Sequence, residues 1–375
     1  MRKLFLPLAG MLFVLSLLNI MLPFDLITWR LSVVTKEYGH FFFLLGAFFA
    51  LMSWRDKDIP SVLLFAFASF FFARPMMMAW SGESAWRREF AQTLGEEKPL
   101  PPLLSLKTLF FGRGLLSAPY ERLVYAKSDG EDLHLDFYRA TPAPSGPVPW
   151  VLVLHGGGWE GGSSDQLPEL NWHLARQGYA VISMSYRFSP KHPWPAQRED
   201  ALAALHYVRE HAAGMGLDLN RWFVLGRSAG AQIAGVLAYT LKDPGLRGYI
   251  SFYPPTDLTF GYEVGEENDL LASRSLVRRF LKGSPQENAP NYQSSSVIEA
   301  LANHPVPTLL LHGRTDLLTW FKHSERLALR LQALNVPYAY VDYPWATHGF
   351  DYNLNGPAGQ ISTTLIDSFL QRFSR

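Results

Sequence analysis

The chain has 375 residues, a formal net charge of +1 and no cysteine. The balanced charge, without a dense basic cluster, argues against nucleic acid as a partner, and the lack of cysteine excludes disulfides, thiolate metal sites and a cysteine nucleophile. This length predicts one large domain with an appendage. Of the 48% hydrophobic residues, nearly all the excess lies before residue 80.

Three apolar runs predict a membrane region over residues 1–80 with about three transmembrane helices. The runs cover residues 4–22, 38–54 and 59–80, and the first is long enough to cross a bilayer. A signal peptide is the competing interpretation of the first run, but no small-x-small cleavage site follows it. A buried hairpin is the alternative for the other two. Their phenylalanine content and lack of a polar stripe favour lipid, because a soluble surface helix needs a polar face.

An odd number of spans would place the two termini on opposite sides of the membrane. The basic residues flanking the runs are nearly balanced under the positive-inside rule. The start Arg2-Lys3 and the turn Arg55-Asp56-Lys57-Asp58 favour a cytoplasmic N-terminus. We therefore expect an integral membrane protein whose soluble part is extracytoplasmic.

Residues 81–118 are expected to form a connector. It contains a possible short amphipathic helix over residues 84–94 and a break at Lys98-Pro99-Leu100-Pro101-Pro102. Residues 103–116 are apolar with two basic side chains, so they either lie along the membrane surface or pack on the soluble domain.

From residue 119 the pattern alternates between strands and helices. The run Trp150-Val151-Leu152-Val153-Leu154 is typical of a parallel strand covered on both faces. The strands expected after it cover residues 180–186, 222–225, 248–253, 307–311 and 338–343. This alternation predicts a doubly wound, mostly parallel α/β domain over residues 119–375. Residues 261–293 form a less regular insertion beyond a strand end, where such folds bind ligands.

The stretch Gly226-Arg227-Ser228-Ala229-Gly230 lies between an apolar strand and an Ala/Gly/Leu-rich helix. Strand, tight turn and helix around G-x-S-x-G are the context of a nucleophile elbow, which exposes the serine hydroxyl above the sheet. Gly226 and Gly230 occupy positions where a Cβ would clash. The pentapeptide also arises by chance at the start of small-residue helices, so the prediction of Ser228 as a nucleophile depends on its partners.

The first partner is His155-Gly156-Gly157-Gly158-Trp159, directly after the apolar strand. Consecutive glycines let backbone N–H groups turn towards a bound oxygen, as an oxyanion hole requires. We expect the amides of Gly157, Gly158 and Ala229 to form that hole. His155 is interpreted as a residue that fixes the loop, not as a proton carrier.

His348 and Asp316 are the remaining partners. His348 follows the last predicted strand, and Asp316 lies just past the strand over residues 307–311. The chain order Ser228, Asp316, His348 is the order that the α/β-hydrolase topology imposes. Asp316 could instead cap the following helix, and Asp342 and Asp351 are then the substitute acids.

With these motifs, residues 120–375 resemble the hormone-sensitive-lipase-like and BD-FAE-like esterases of the α/β-hydrolase superfamily. The resemblance rests on the glycine loop, the elbow, Ser185-Tyr186-Arg187, His192-Pro193-Trp194-Pro195, Glu199-Asp200-Ala201, Phe252-Tyr253-Pro254-Pro255-Thr256-Asp257-Leu258 and His348-Gly349-Phe350. It implies a structural ion pair between Arg187 and Asp200. Two departures, Arg227 before the nucleophile and Thr315-Asp316-Leu317 around the acid, prevent transfer of a substrate preference.

The expected function is that of a membrane-anchored serine hydrolase that cleaves small-molecule or lipid carboxylic esters through an acyl-enzyme. No metal or organic cofactor is required for this chemistry. An acyltransferase using the same triad on membrane or envelope acyl groups is one alternative. A peptidase of the prolyl-oligopeptidase type and a catalytically inactive membrane scaffold are the others. The sequence shows no recognisable amine-binding acidic pair, which argues against the peptidase. The intact catalytic groups argue against the inactive scaffold.

Overall fold

An eight-stranded sheet forms the centre of the protein. The computed structural model describes residues 2–95, 99–114, 117–142, 146–302 and 304–375. The strands are β1 (Glu121–Ser128), β2 (Glu131–Tyr138), β3 (Val148–Leu154), β4 (Ala180–Met184), β5 (Leu217–Arg227), β6 (Leu246–Phe252), β7 (Thr308–Gly313) and β8 (Tyr338–Tyr343). Their order across the sheet is β1-β2-β4-β3-β5-β6-β7-β8.

Six strands of this sheet run parallel to one another. β2 pairs antiparallel with β1 and with β4, whereas each neighbouring pair from β4 through β3 and β5 to β8 is parallel. The carboxyl ends of β3, β5, β7 and β8 therefore lie at one edge, which is where such folds assemble their sites.

Helices cover both faces of the sheet, as a doubly wound arrangement requires. The helices after β3 are α6 (Glu169–Arg176), α7 (Ala196–Met215), α8 (Ala229–Thr240), α9 (Leu258–Val264), α10 (Ser273–Leu281), α11 (Ala289–Ser295), α12 (Val297–Ala300), α13 (Lys322–Ala333) and α14 (Pro357–Phe373). One buried apolar cluster contains residues of α7 and α8. The other contains residues of α6 and α14.

Five helices precede the sheet within the described residues. They are α1 (Arg2–Ser16), α2 (Leu26–Glu37), α3 (Gly39–Arg55), α4 (Ile59–Leu94) and α5 (Leu106–Phe111). Parts of α1, α3 and α4 form an apolar cluster of their own, centred on Phe5, Phe65 and Phe72. This cluster is separate from the two that sandwich the sheet.

The prediction of three transmembrane helices is not supported by the helix lengths. Among the described residues, α4 alone is long and apolar enough to cross a membrane. The apolar helices over Leu4–Asn19 and Gly39–Arg55 are shorter, because a 3-10 turn at Leu17–Asn19 ends the first and Asp56 follows the second. Two of the three predicted spans are therefore shorter than a membrane-spanning helix.

The predicted boundary near residue 80 lies inside a continuous helix. α4 extends through Pro75 to Leu94, so the expected third span and the expected amphipathic helix over residues 84–94 are one element. Its last turns carry Trp86 and Phe90 into the apolar cluster on the sheet. This burial favours continuation of the helix where a connector was expected.

The following segment packs on the sheet, which was one of its two expected placements. Leu100, Leu103 and Leu104 are buried in the same cluster as Trp86. Leu109 of α5 is also buried. The end of the predicted apolar segment, residues 115–116, lies outside the described residues.

Candidate active site

Ser228 stands at a sharp turn between β5 and α8. Its backbone angles are φ 52° and ψ −121°, a strained conformation for a residue with a side chain. A Cβ on Gly226 would lie 2.4 Å from the Cα of Ala231, and a Cβ on Gly230 would lie 2.2 Å from the carbonyl oxygen of His155. Only glycine fits at these two positions, and the turn has the geometry of a nucleophile elbow.

His348 and Asp316 come together at the carboxyl ends of β8 and β7. The Nδ1 atom of His348 lies 2.7 Å from Oδ2 of Asp316. The other oxygen, Oδ1, accepts hydrogen bonds from the amides of Leu318 and Thr319 at 2.8 Å and 2.9 Å. Asp316 therefore holds its own loop and contacts the histidine at the same time. It does not cap the following helix, whose N-cap residue is Phe321.

Neither substitute acid contacts the histidine by a hydrogen bond or ion pair within the described residues. Asp342 is paired with Arg314, and Asp351 is paired with Arg227 at 2.5 Å. Asp316 is the carboxylate that the structure brings to His348.

The surroundings of Asp316 favour its charged form. Burial alone would raise the pKa of this carboxyl, but His348 and His312 outweigh burial and the pKa is lowered. The Nε2 atom of His312 lies 3.3 Å from Oδ2 of Asp316. Because the carboxylate faces Nδ1 of His348, Nε2 is the ring nitrogen left to exchange a proton.

Ser228 and His348 line one cavity. The Ser228 hydroxyl forms no hydrogen bond with any residue that the structure describes, His348 included. Hydrogen bonds between catalytic groups are often long in unliganded enzymes and shorten when substrate binds. The site therefore presents a serine beside an imidazole that a buried carboxylate orients.

The glycine loop lines the same cavity. Gly157 and Gly158 have φ values of 127° and 60°, which only glycine adopts without strain. Across the described parts of the chain, the amides of Gly157, Gly158 and Ala229 have no hydrogen-bond acceptor. The amide of Gly156 is instead bound to Oε1 of Gln166 at 3.0 Å. Three N–H groups thus remain for a substrate oxygen, as an oxyanion hole requires.

His155 holds this loop from below. Its ring stacks on Tyr186 at a centroid distance of 4.2 Å, and its Nδ1 lies 2.7 Å from the carbonyl oxygen of Gly156. Burial lowers the pKa of His155 to about 4, so the ring is neutral at neutral pH. These contacts are those of a loop-fixing residue.

The ion pair implied by the resemblance lies nearby, away from the cavity. Arg187 donates through Nε to Oδ1 of Asp200 at 2.8 Å, and its backbone amide donates to Oδ2 at 2.8 Å. The pair ties the end of β4 to α7.

Arg227 has a partner that sequence reasoning did not assign. Its Nε donates to Oδ2 of buried Asp351, and the hydroxyl of Tyr253 donates to Oδ1 of the same carboxylate. The Tyr253 ring lies 4.2 Å from the His348 ring, centroid to centroid. The network therefore joins the elbow strand, the end of β6 and the histidine loop. The only signal in the sequence is the basic residue itself, which needs an acid when buried beside the nucleophile.

The catalytic cavity has a volume of about 800 Å³. Leu271, Leu276 and Leu318 form part of its wall. Arg279 and Glu160, paired at 2.6 Å, are also in the lining. No group of three or more His, Cys, Asp or Glu side chains within the described ranges is placed to hold a metal ion.

The opposite wall comes from α2, which sequence reasoning left unassigned. Asp25 begins this helix with a capping box: the Thr28 amide donates to Asp25 Oδ1 at 2.7 Å, and the Asp25 amide donates to Thr28 Oγ1 at 3.0 Å. The sequence signal for a helix was therefore present. The sequence analysis did not assign this helix, which lies between two more apolar runs.

With this geometry in view, comparison with known proteins gives the family. Residues 151–352, more than half of the chain, match the model of a protein family described as having the α/β hydrolase fold. The chain belongs to this family.

The curated relatives of this α/β hydrolase are named as esterases. Esterase LipI of Mycobacterium tuberculosis is 37% identical over 214 residues, which are 54% of this chain and 66% of LipI. Esterase LipC of the same organism is 26% identical over 256 residues, 64% of this chain and 62% of LipC. The chain spans about three fifths of the length of the curated relatives it matches first.

A solved structure supports the fold. An esterase of Rhizomucor miehei superposes with a TM-score of 0.60 at 22% identity, covering 77% of this chain and 96% of the fungal chain. At 22% identity, this similarity shows a shared fold and nothing more.

Proposed function

We propose that this protein is a membrane-anchored serine hydrolase that cleaves carboxylic esters. The observation that carries the proposal is the pairing of His348 with buried Asp316 at 2.7 Å, beside a serine at a strained elbow. The amides of Gly157, Gly158 and Ala229, which have no acceptor among the described residues, supply the third component. Names of relatives such as LipI and LipC agree with this activity.

In the proposed first step, the Ser228 hydroxyl attacks the ester carbonyl carbon. Nε2 of His348 takes the hydroxyl proton as the new C–O bond forms, and Asp316 stabilises the imidazolium that results. The carbonyl oxygen becomes an oxyanion held by the three amides. Loss of one such donor typically costs about 3 kcal/mol of transition-state stabilisation.

In the following steps, the tetrahedral intermediate loses its alcohol. His348 returns the proton to the leaving alkoxide oxygen as that C–O bond breaks, which leaves an acyl group on Ser228. Water then attacks the acyl-enzyme with His348 as general base, and the carboxylic acid departs as the serine recovers its proton.

Membrane anchoring is supported by the outward faces of the N-terminal helices. α1, α3 and α4 bury a phenylalanine-rich cluster between them, yet large apolar side chains also point away from it. The exposed ones include Leu4, Met11, Phe48, Leu51, Leu63 and Phe70. Apolar surface of this extent marks contact with a partner or a membrane.

The position of α2 requires that α3 and α4 either both cross the membrane or both do not. Trp29 contacts the backbone of His348, so α2 lies on the same side as the hydrolase fold. If α1, α3 and α4 all cross, the segment between α1 and α3 emerges on the side to which α4 leads. The short lengths of α1 and α3 then require a thin bilayer or local adjustment of it. With the cytoplasmic N-terminus predicted above, that side is extracytoplasmic.

One experiment tests chemistry and anchoring together. Membrane and soluble fractions of cells expressing the full chain are treated with a fluorophosphonate probe, after a high-pH wash of the membranes. We expect a labelled band in the washed membranes and none in Ser228→Ala. We also expect hydrolysis of p-nitrophenyl butyrate to fall by about 10³-fold or more in this variant. Ser163→Ala, an exposed serine outside the catalytic cavity, is the matched control.

Each half of the proposal has its own contradicting result. Unchanged turnover in Ser228→Ala excludes the serine mechanism, whereas a labelled band in the soluble fraction excludes anchoring. Transfer of the acyl group to an added alcohol in preference to water would replace hydrolysis by acyl transfer.

A further inference from the structure

We propose that α2 is the wall of the catalytic cavity that selects the acyl group, and that the cavity takes esters of medium or long acyl chains. The inference rests on the proposed function and names the substrate class of the same site. It assigns a role at the catalytic centre to a helix that precedes β1 by more than 80 residues.

One complete face of α2 is turned towards the cavity. The lining residues from this helix are Leu26, Trp29, Arg30, Val33 and Val34. They follow the spacing i, i+3, i+4, i+7 and i+8, which places side chains on one stripe of an α-helix. The contribution of α2 therefore extends over more than two helical turns and is not a single chance contact.

Polar contacts hold α2 against both catalytic loops. Trp29 donates through Nε1 to the carbonyl oxygen of His348 at 3.2 Å. Lys36 donates through Nζ to Oγ1 of Thr315 at 2.8 Å, next to Asp316, and is only 1% exposed. Because the contacts reach the residues that position the imidazole and its carboxylate, this wall has a defined place relative to the reacting atoms.

The end of α2 is fixed as well. Asn353 donates through Nδ2 to the carbonyl oxygen of Glu37 at 3.2 Å, and the Ala358 amide donates to Oε2 of Glu37 at 3.3 Å. The last residue of the helix is thus held by the segment that follows His348.

The shape and lining of the cavity indicate its occupant. Its volume of about 800 Å³ lies in the upper part of the range of about 300–1,000 Å³ typical of small-molecule sites, and is far larger than an acetyl group needs. Aliphatic side chains line it from two elements, with Val33 and Val34 on α2 and Leu271 and Leu276 on the insertion. Each methylene that enters such a space leaves water and adds binding free energy.

Val34 offers the sharpest test, because it lines the cavity and yet is 37% exposed. Val34→Trp adds an indole that fills cavity space while the exposed position limits strain. In the full chain, we expect kcat/KM for p-nitrophenyl decanoate to fall about 10-fold or more, with the acetate ester changing less than about 3-fold. Fluorophosphonate labelling should be retained in this variant.

Leu31→Trp is the matched control on the same helix. Leu31 is 41% exposed and is absent from the cavity lining, so both esters should be hydrolysed as by the parent chain. Leu26→Trp, a second cavity position, gives an independent reading if Val34→Trp is not labelled. It should shift the chain-length profile in the same direction.

The outcomes separate this inference from the proposed function. If the parent chain is labelled and hydrolyses esters but cavity variants keep its chain-length profile, the inference alone is overturned. Equal loss on both esters, or a parent chain that prefers acetate, also overturns it. A parent chain without labelling or turnover overturns the inference together with the proposed function.

Discussion

The N-terminal helices and the α/β part of this protein use the same apolar residue types in opposite ways. In the α/β part, the centre of the sheet buries them: Leu152 of β3 and Phe223 of β5 have no exposed surface. In the N-terminal part, Leu4 and Phe24 are more than 70% exposed. Hydrophobic content alone therefore does not locate a core, and the direction of the side chains separates a sheet-centred domain from helices with apolar outer surfaces.

The two regions also divide the candidate active site between them. Ser228, Asp316 and His348, the proposed triad, follow strand ends of the α/β part, where the parallel sheet brings them to one edge. α2 of the N-terminal part supplies the facing wall of the cavity. A fragment beginning near residue 100 would keep these three residues and lose this wall, so the proposed activity is to be measured on the full chain.

The largest loss of activity is expected from a substitution in the α/β part, which holds the proposed triad. Asp316→Asn removes the charge that stabilises the His348 imidazolium and permits the wrong tautomer, so we expect kcat to fall about 10³- to 10⁴-fold. Steady-state hydrolysis of p-nitrophenyl butyrate measures it. Asp342→Asn, which alters a partly exposed pair with Arg314, is the control and should change kcat little. Similar activity in the two variants would remove Asp316 from the triad.

A smaller effect is expected from the N-terminal part. Trp29→Phe keeps an aromatic ring in the cavity wall, but it removes the Nε1 donor to His348 together with part of the indole. A neutral hydrogen bond is worth about 1 kcal/mol, so kcat should fall about 5-fold with little change in KM for a short ester. Trp54→Phe, at an exposed position on α3, serves as the control. An unaltered kcat in Trp29→Phe would mean that the histidine loop needs no support from α2.

A third prediction concerns stability and not turnover, namely the pH dependence of unfolding in the α/β part. Burial lowers the pKa of His155 to about 4, whereas in the unfolded chain it is about 6.5. The unfolded state therefore binds more protons between these values, and the free energy of unfolding decreases as the pH falls from about 6.5 to about 4. Thermal unfolding at a series of pH values should show a shallower decrease in His155→Phe, which retains a ring against Tyr186.

Some decrease in stability with falling pH is still expected in His155→Phe. Burial also lowers the pKa of His323, to about 3, with the same sign. Parallel curves for the parent chain and His155→Phe would show that the His155 ring is not kept neutral by the fold.

Much of the active-site prediction was made from short motifs. The elbow around Ser228 and the glycine loop at residues 156–158 depend on steric demands within a few residues, so the residue types reveal them. The pairing of Asp316 with His348 was predictable as well, because chain order and parallel topology bring successive strand ends together. The sequence did not predict that Oδ2 of Asp316 contacts the histidine while Oδ1 accepts a hydrogen bond from its own loop.

The membrane region was less predictable. Hydropathy located the apolar runs, but the helix boundaries depended on contacts elsewhere in the chain. α4 continues to Leu94 because Trp86 and Phe90 are buried against the sheet, and hydropathy carries no information about that burial.

By itself, the sequence determined the strand order of the α/β part, the turn at Ser228, the loop amides and the order of the candidate catalytic groups, since local sterics and chain direction specify them. Only the tertiary structure decided that Arg227 pairs with Asp351 and that Trp29 reaches the backbone of His348. These contacts join residues 124 and 319 positions apart. They form because whole elements pack in one arrangement, and no spacing rule along the chain encodes such a distance.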